Sequence, residues 1–190
     1  MLSRLPNLLT LLRIGAVPVL ILFLKDGEYE VALVVFLAAG ITDGLDGWIA
    51  KKFDCVSHLG SILDPLADKM LIVSTYVVLV LLGDLPFWLL LLIGFRDLCI
   101  IGGFLILHTP HGPVPMQPTP LSKANTVMQI VLVIDVMLNR IGWLDIPILT
   151  DGLVGLVGLT TLLSGIHYAY LWFISSNETN ADDTGSDTMP

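Results

Sequence analysis

Residues 41–70 read ITDGLDGWIAKKFDCVSHLGSILDPLADKM, and the fold turns on this stretch. Four aspartates, Asp43, Asp46, Asp64 and Asp68, stand inside or against segments apolar enough to lie in a membrane. A carboxylate in such a place costs free energy unless it is paired, hydrated or bound to a metal. Asp43 and Asp46 are three positions apart and Asp64 and Asp68 four, so each pair shares one face of a helix. Between the pairs, Lys51, Lys52, Asp54, Ser57 and Gly60 suit a tight turn joining two helices. Folding the chain back near Cys55 brings Asp43 level with Asp68 and Asp46 level with Asp64. Carboxylates converging in this way are hard oxygen donors. They suit Mg2+ or Mn2+, as two ions sharing bridging carboxylates.

Composition agrees with a membrane setting. Of 190 residues, 55% are hydrophobic and only 14% charged, which places the chain among integral membrane proteins. The formal net charge of −8 owes much to Glu178, Asp182, Asp183 and Asp187 near the end of the chain. The nine basic residues are scattered singly, so nucleic acid is excluded as a partner. Cys55 and Cys99 are read as separate thiols kept reduced. The first apolar run is interrupted by Arg13 and no small-residue cleavage site follows it, so it is expected to be a retained helix.

Six runs come near the roughly 20 residues that a bilayer requires. They span about 7–24, 30–51, 59–82, 86–107, 121–139 and 149–174, giving an all-α polytopic protein of six transmembrane helices. Residues 108–120 (HTPHGPVPMQPTP) hold five prolines and are expected to form a loop. With both termini on one side, that side carries Arg4, Lys51, Lys52 and Lys123, with Arg13 just inside. The other side carries only Lys25 and Arg140. The positive-inside rule then puts both termini and the aspartate turn in the cytosol.

Each signal has a plainer reading. One aspartate alone would be explained as a hydrated group at a helix end, or as a partner for Lys69 or Arg96; two facing pairs are not. Gly44, Gly47 and Ala50 bare the backbone beside the carboxylates, which lets helices approach or leaves room for a base and a diphosphate. Arg13 could snorkel to the surface or meet a ligand. Arg96 could pair with Asp97, although neighbours on a helix point apart. As a deep cation it is instead expected in a cavity below the metals. Lys123 opens a helix where a cation opposes the dipole, which points to an anionic ligand. His58, His108, His111 and His167 have no ligand spacing, and Gly152, Gly155 and Gly158 read as helix packing.

The pattern Asp43-x-x-Asp46-Gly47-x-x-Ala50-Lys51-x8-Gly60-x3-Asp64-x3-Asp68 resembles the signature of the CDP-alcohol phosphatidyltransferase family. The family usually has arginine where Lys51 stands; the charge survives but the bidentate grip on phosphate does not. PNLLTLLR (6–13), LDPLADK (63–69) and LSKANTVMQ (121–129) are similar to the branch that forms cardiolipin or phosphatidylglycerophosphate. Ser-Lys-x-Asn-Thr at 122–126 most resembles the cardiolipin-forming, CMP-releasing members, the others more often having Gly-Lys-x-Lys-Thr.

This resemblance implies the family's transmembrane fold over residues 1–175, a homodimer, and a site open to lipid and to the cytosol or mitochondrial matrix. The membrane would be a bacterial or mitochondrial inner membrane. Residues 176–190 are expected to be a disordered acidic tail. By resemblance, Asp43 and Asp64 bridge two Mg2+ or Mn2+ ions, Asp46 completes the first, and Asp68 completes the second and is the general base. Spacing alone does not say which aspartate is the base. Asn7, Gly47, Ala50, Lys51, Ser57 and Gly60 fall where the CDP-lipid binds. Arg13, Arg96 and Lys123 are expected to hold the acceptor's phosphate. The implied substrates are CDP-diacylglycerol and phosphatidylglycerol; the rival acceptor is glycerol 3-phosphate. A divalent-cation transporter is the rival of another class, and it would need acids spread through the depth of the bilayer.

Overall fold

Three chain reversals share one design. In the computed structural model, α1 (Leu5–Lys25), α3 (His58–Leu81) and α5 (Pro120–Ile141) are each followed by a glycine in the left-handed region. These are Gly27 (φ 80°), Gly83 (φ 83°) and Gly142 (φ 84°). Just beyond each, an amide turns back into the last turn: Glu28 N donates to Phe23 O (2.9 Å), Asp84 N to Leu79 O (2.8 Å) and Trp143 N to Leu138 O (3.1 Å). The bond satisfies a carbonyl that the helix end would leave bare, and only glycine takes that φ without strain. The partners α2 (Tyr29–Phe53), α4 (Phe87–His108) and α6 (Pro147–Gly185) start within a few residues. Odd and even helices therefore run in opposite directions, and the three glycine turns lie at one end of the bundle.

The structure describes the backbone of residues 5–53, 58–108 and 120–185, and the side chains of 11–42, 69–100 and 121–167. Among them the chain forms six helices and no strand. Helix bounds follow the hydrophobic runs closely, and α6 runs as helix to Gly185, ten residues into the segment read from the sequence as a tail. Neither Pro nor Gly occurs between Gly165 and Gly185, so nothing local stops the helix sooner.

Packing divides the bundle into halves. α1 packs extensively against both α2 and α3, while α6 packs against both α4 and α5. The halves meet more lightly, through α2 on α5 and through α3 on α4 and α5. Leu20, Leu24, Phe36, Tyr76 and Leu79 fill the first half, and Leu89, Ile93, Leu132, Met137 and Val157 the second.

The polarity is inverted relative to a water-soluble bundle. Arg13, Arg96, Asn125, Gln129, Asp135 and Ser164 are buried, whereas Leu81, Phe95, Leu98, Trp143 and Ile148 face outward. Such an exterior suits lipid rather than water. Leu121–Ile141 and Pro147–His167 are each long and apolar enough to cross a membrane. In lipid the interior is held less by exclusion of apolar surface than by close packing and paired polar groups.

Three polar contacts staple the halves at different depths. At the glycine-turn end, Asp84 accepts from Tyr29 Oη (2.6 Å) and from Arg140. At mid-depth, Tyr76 Oη donates to the Gln129 carbonyl (3.1 Å). Towards the opposite end, Lys69 Nζ donates to Asp97 Oδ2 (2.5 Å).

Candidate active site

The aspartate stretch is helical on both sides of its turn. Asp43, Asp46, Gly47, Ala50 and Lys51 occupy the last turns of α2, and Gly60, Asp64 and Asp68 the first turns of α3. At 1.5 Å per residue each aspartate pair is separated by roughly one turn along its axis, as the spacing requires. Antiparallel helices put both pairs at the end opposite the glycine turns, the same end as the start of α5 and Lys123. The side chains of Asn7, Asp43, Asp46, Ala50, Lys51, Asp64 and Asp68 lie outside the described ones, as does all of Ser57. The donor set fits the implied ions in its chemistry: carboxylates only, without the thiolate or imidazole that softer metals select. Among the described residues no group of acidic, histidine or cysteine side chains is gathered to hold a metal.

A cavity of about 340 Å³ opens beside these helical stretches, between α1, α2, α3 and α5. Gly40 and Ile41 line it from α2, Leu71 and Ile72 from α3, Thr126 and Ile130 from α5, and Arg13 from α1. Ile41 precedes Asp43 by two residues, and Leu71 follows Asp68 by three. The cavity thus adjoins the aspartate stretch within about a helical turn. Arg13, 2% exposed, is the one charged group among its described lining residues. It does not snorkel to the surface.

Arg96 is buried and is not among the residues that line this cavity. Its guanidinium reaches Ser164 on α6 (3.0 Å), Ser122 on α5 and the neighbouring Asp97 (2.7 Å). Those partners pull the side chain into the contact between helices, and its length lets it curl back to the adjacent residue. Lys123 is exposed beside Ser122. One turn deeper, buried Asn125 accepts from Thr160 (2.8 Å) and Thr161 (2.9 Å) on α6.

The sequence reading missed Asp135, which is buried in α5 towards the glycine-turn end. Its Oδ2 accepts from Thr150 (2.7 Å), and Asn139 Nδ2 donates to both the Asp135 carbonyl (3.0 Å) and Thr150 (3.1 Å). An aspartate inside IVLVIDVML was the available signal. It stands at the other end of the bundle from the aspartate motif and serves to lock α5 to α6. The linkage of Lys69 to Asp97 and the two serines on Arg96 were also missed.

A family model for the CDP-alcohol phosphatidyltransferases matches residues 3–173. The chain belongs to that family. Among curated members of the CDP-alcohol phosphatidyltransferases, it is 39% identical over 144 residues to the cardiolipin synthase (CMP-forming) of Rattus norvegicus, covering 67% of this chain and 48% of that one. It is 35% identical to a probable cardiolipin synthase (CMP-forming) of Drosophila melanogaster, covering 86% of this chain and 56% of the relative. The CDP-diacylglycerol–glycerol-3-phosphate 3-phosphatidyltransferase of Bacillus subtilis is 30% identical over 153 residues, covering 73% and 78%. The chain spans about half the length of the rat and fly synthases that it matches.

Proposed function

We propose that this protein is a CMP-forming cardiolipin synthase. The phosphatidyl group of CDP-diacylglycerol passes to the free hydroxyl of phosphatidylglycerol, giving cardiolipin and CMP. The observation that carries the choice of acceptor is the cavity beside the aspartate motif. Its described lining is apolar apart from Arg13 and Thr126. A small polyol phosphate would find few partners there, and unpaired polar groups are costly. A lipid acceptor gives the cavity apolar surface and gives Arg13 a phosphodiester.

All six helices cross the membrane in this reading, with the aspartate end in the cytosol or matrix, and the enzyme works as a homodimer. An open apolar groove of about 450 Å³ along α1 and α2, lined by Leu11, Leu12, Gly15 and Val35, suits an acyl chain.

Asp43, Asp46, Asp64 and Asp68 would hold two Mg2+ or Mn2+ ions, which when bound neutralise the diphosphate and ease departure of CMP. Asp68 takes the proton from the acceptor hydroxyl as its oxygen bonds to the phosphatidyl phosphorus and the bond from that phosphorus to CMP breaks. Lys51, flanked by Gly47 and Ala50, meets the diphosphate, with Asn7, Ser57 and Gly60 around the nucleotide. Lys123 and Arg13 attract the acceptor's phosphate, and the charge of Arg96 behind Ser122 adds to that field. The work of these residues is positioning and charge neutralisation.

One competing acceptor has an observation in its favour. The Bacillus relative, whose name specifies glycerol 3-phosphate, is covered over more of its length than the rat and fly synthases. Supplying the purified protein with labelled CDP-diacylglycerol and each acceptor in turn decides the matter. Cardiolipin formed from phosphatidylglycerol supports the proposal; phosphatidylglycerophosphate formed from glycerol 3-phosphate, without cardiolipin, refutes it.

A further inference from the structure

We propose that Asp97 is a positioning residue that sets the spacing between the half of the bundle bearing the aspartates and the half bearing Lys123. The inference rests on the reading of Asp68 and Lys123 given above. Asp97 belongs to α4, and each of its oxygens is engaged. Oδ2 accepts from Lys69 Nζ of α3 at 2.5 Å, and Oδ1 from Arg96 Nη1 at 2.7 Å. Arg96 continues the chain to Ser164 of α6 at 3.0 Å and to Ser122 of α5. Lys69 directly follows Asp68, and Ser122 directly precedes Lys123. One carboxylate therefore links the base on α3, two steps away through Lys69, to the acceptor-facing cation on α5, three steps away through Arg96 and Ser122.

Burial gives this clasp its force. The Asp97 side chain is 12% exposed and that of Arg96 4%, so their charges are largely withdrawn from solvent. Removing the Asp97 charge takes a counterion from the buried Arg96 in a poorly solvating place and unties Lys69, whose side chain is 44% exposed, from α4. Apolar packing is a weak substitute, because α3 meets α4 and α5 less extensively than it meets α1. The Asp84 and Tyr76 staples lie farther from the aspartate motif. Asp97 alone among the three acts beside it. A displacement of about 1 Å in a group that orients substrate can cost about a hundredfold in rate.

The test uses the full chain in proteoliposomes with Mg2+. Wild type is assayed first with phosphatidylglycerol and with glycerol 3-phosphate, so a wrong acceptor assignment shows itself before any variant is read. Asp97→Asn, Asp97→Glu and Lys69→Met are then compared using the acceptor that wild type accepts. Asp97→Asn and Lys69→Met should lower kcat/KM for the acceptor by about 10- to 100-fold, the range seen when supporting partners of a site are removed. KM for CDP-diacylglycerol should hold, and Asp97→Glu should recover part of the loss.

A second readout is independent of turnover. Spin labels at Val73 on α3 and Val127 on α5, both exposed, are placed in a background with Cys55 and Cys99 replaced by serine. Their distance distribution should broaden in Asp97→Asn. The proposal is overturned by unchanged acceptor kinetics in both Asp97→Asn and Lys69→Met, or by a label distance as narrow as in wild type. A parallel fall in both substrates' parameters together with thermal stability, with no recovery in Asp97→Glu, reduces Asp97 to a structural residue and overturns it equally.

Discussion

Gly158 of α6 lies beneath the indole of Trp88 of α4: a Cβ at Gly158 would stand 2.9 Å from Trp88 Cη2 and 3.0 Å from Cζ3. The ring fills the space that a side chain would need, and α4 rests on α6 at this point. Gly152 and Gly155, in the same small-residue stripe, face open space. The stripe therefore divides into one packing position and two that meet nothing among the described residues.

That difference predicts effects of opposite sign when a side chain is added at Gly158 and at Gly155. Gly158→Leu forces the indole aside and should lower stability by about 1–3 kcal/mol, as overpacking does. Gly155→Ala meets nothing and gains helix propensity, up to about 1 kcal/mol. Thermal unfolding of the two variants in one detergent checks this; equal shifts would show that Trp88 does not rest on Gly158.

Asp84 predicts a stability effect without a catalytic one. Its side chain is 1% exposed, and it takes bonds from Tyr29 and Arg140, far from the aspartate motif. Asp84→Ala should destabilise by about 1–3 kcal/mol, because the Tyr29 hydroxyl and the Arg140 guanidinium lose their acceptor. Turnover per folded molecule at low temperature should stay at the wild-type value. Loss of turnover with unchanged melting would place Asp84 in the catalytic machinery instead.

The sequence made these elements legible to different degrees, for physical reasons. Gly27, Gly83 and Gly142 stand just after apolar runs, where a helix end favours a left-handed residue, so each turn carries its own local signal. The aspartate motif was legible because helical period imposes its spacing on neighbours in the chain. Asp97 was harder. Adjacent helical residues leave in different directions, and only the length of arginine lets Arg96 reach back. Asp135 and Thr150 come from successive helices, and no local period links them. Contacts between helices leave no spacing for a single sequence to display.

Asp68→Asn tests the chemical assignment. An amide cannot take the acceptor's proton, so turnover should fall by about 10²- to 10⁴-fold, the usual worth of a general base. Helical content and melting temperature should be retained, because the change is isosteric. Turnover within a fewfold of wild type would move the base elsewhere.

Gly40→Leu tests the cavity. A Cβ at Gly40 meets nothing within 4 Å among the described residues, and Gly40 lines the space beside the motif, so a larger side chain would enter the cavity rather than the core. The helix should gain slightly in stability from the loss of glycine. Filling an apolar pocket by a few carbons should cost the lipid acceptor about tenfold or more in kcat/KM. KM for CDP-diacylglycerol should move little. An equal rise for donor and acceptor would assign the cavity to the donor lipid.

Lys51→Arg tests the one departure from the family pattern. Lysine offers the diphosphate a point charge, whereas arginine offers a planar fork that can hold two phosphate oxygens at once. If Lys51 meets the diphosphate, arginine should bind it at least as well, so KM for CDP-diacylglycerol should fall while kcat stays near wild type. The direction matters more than the size, because a tighter ground state alone does not raise kcat. An inactive but folded Lys51→Arg variant would mean that the position contacts something other than the donor's phosphates, where the longer planar group does not fit.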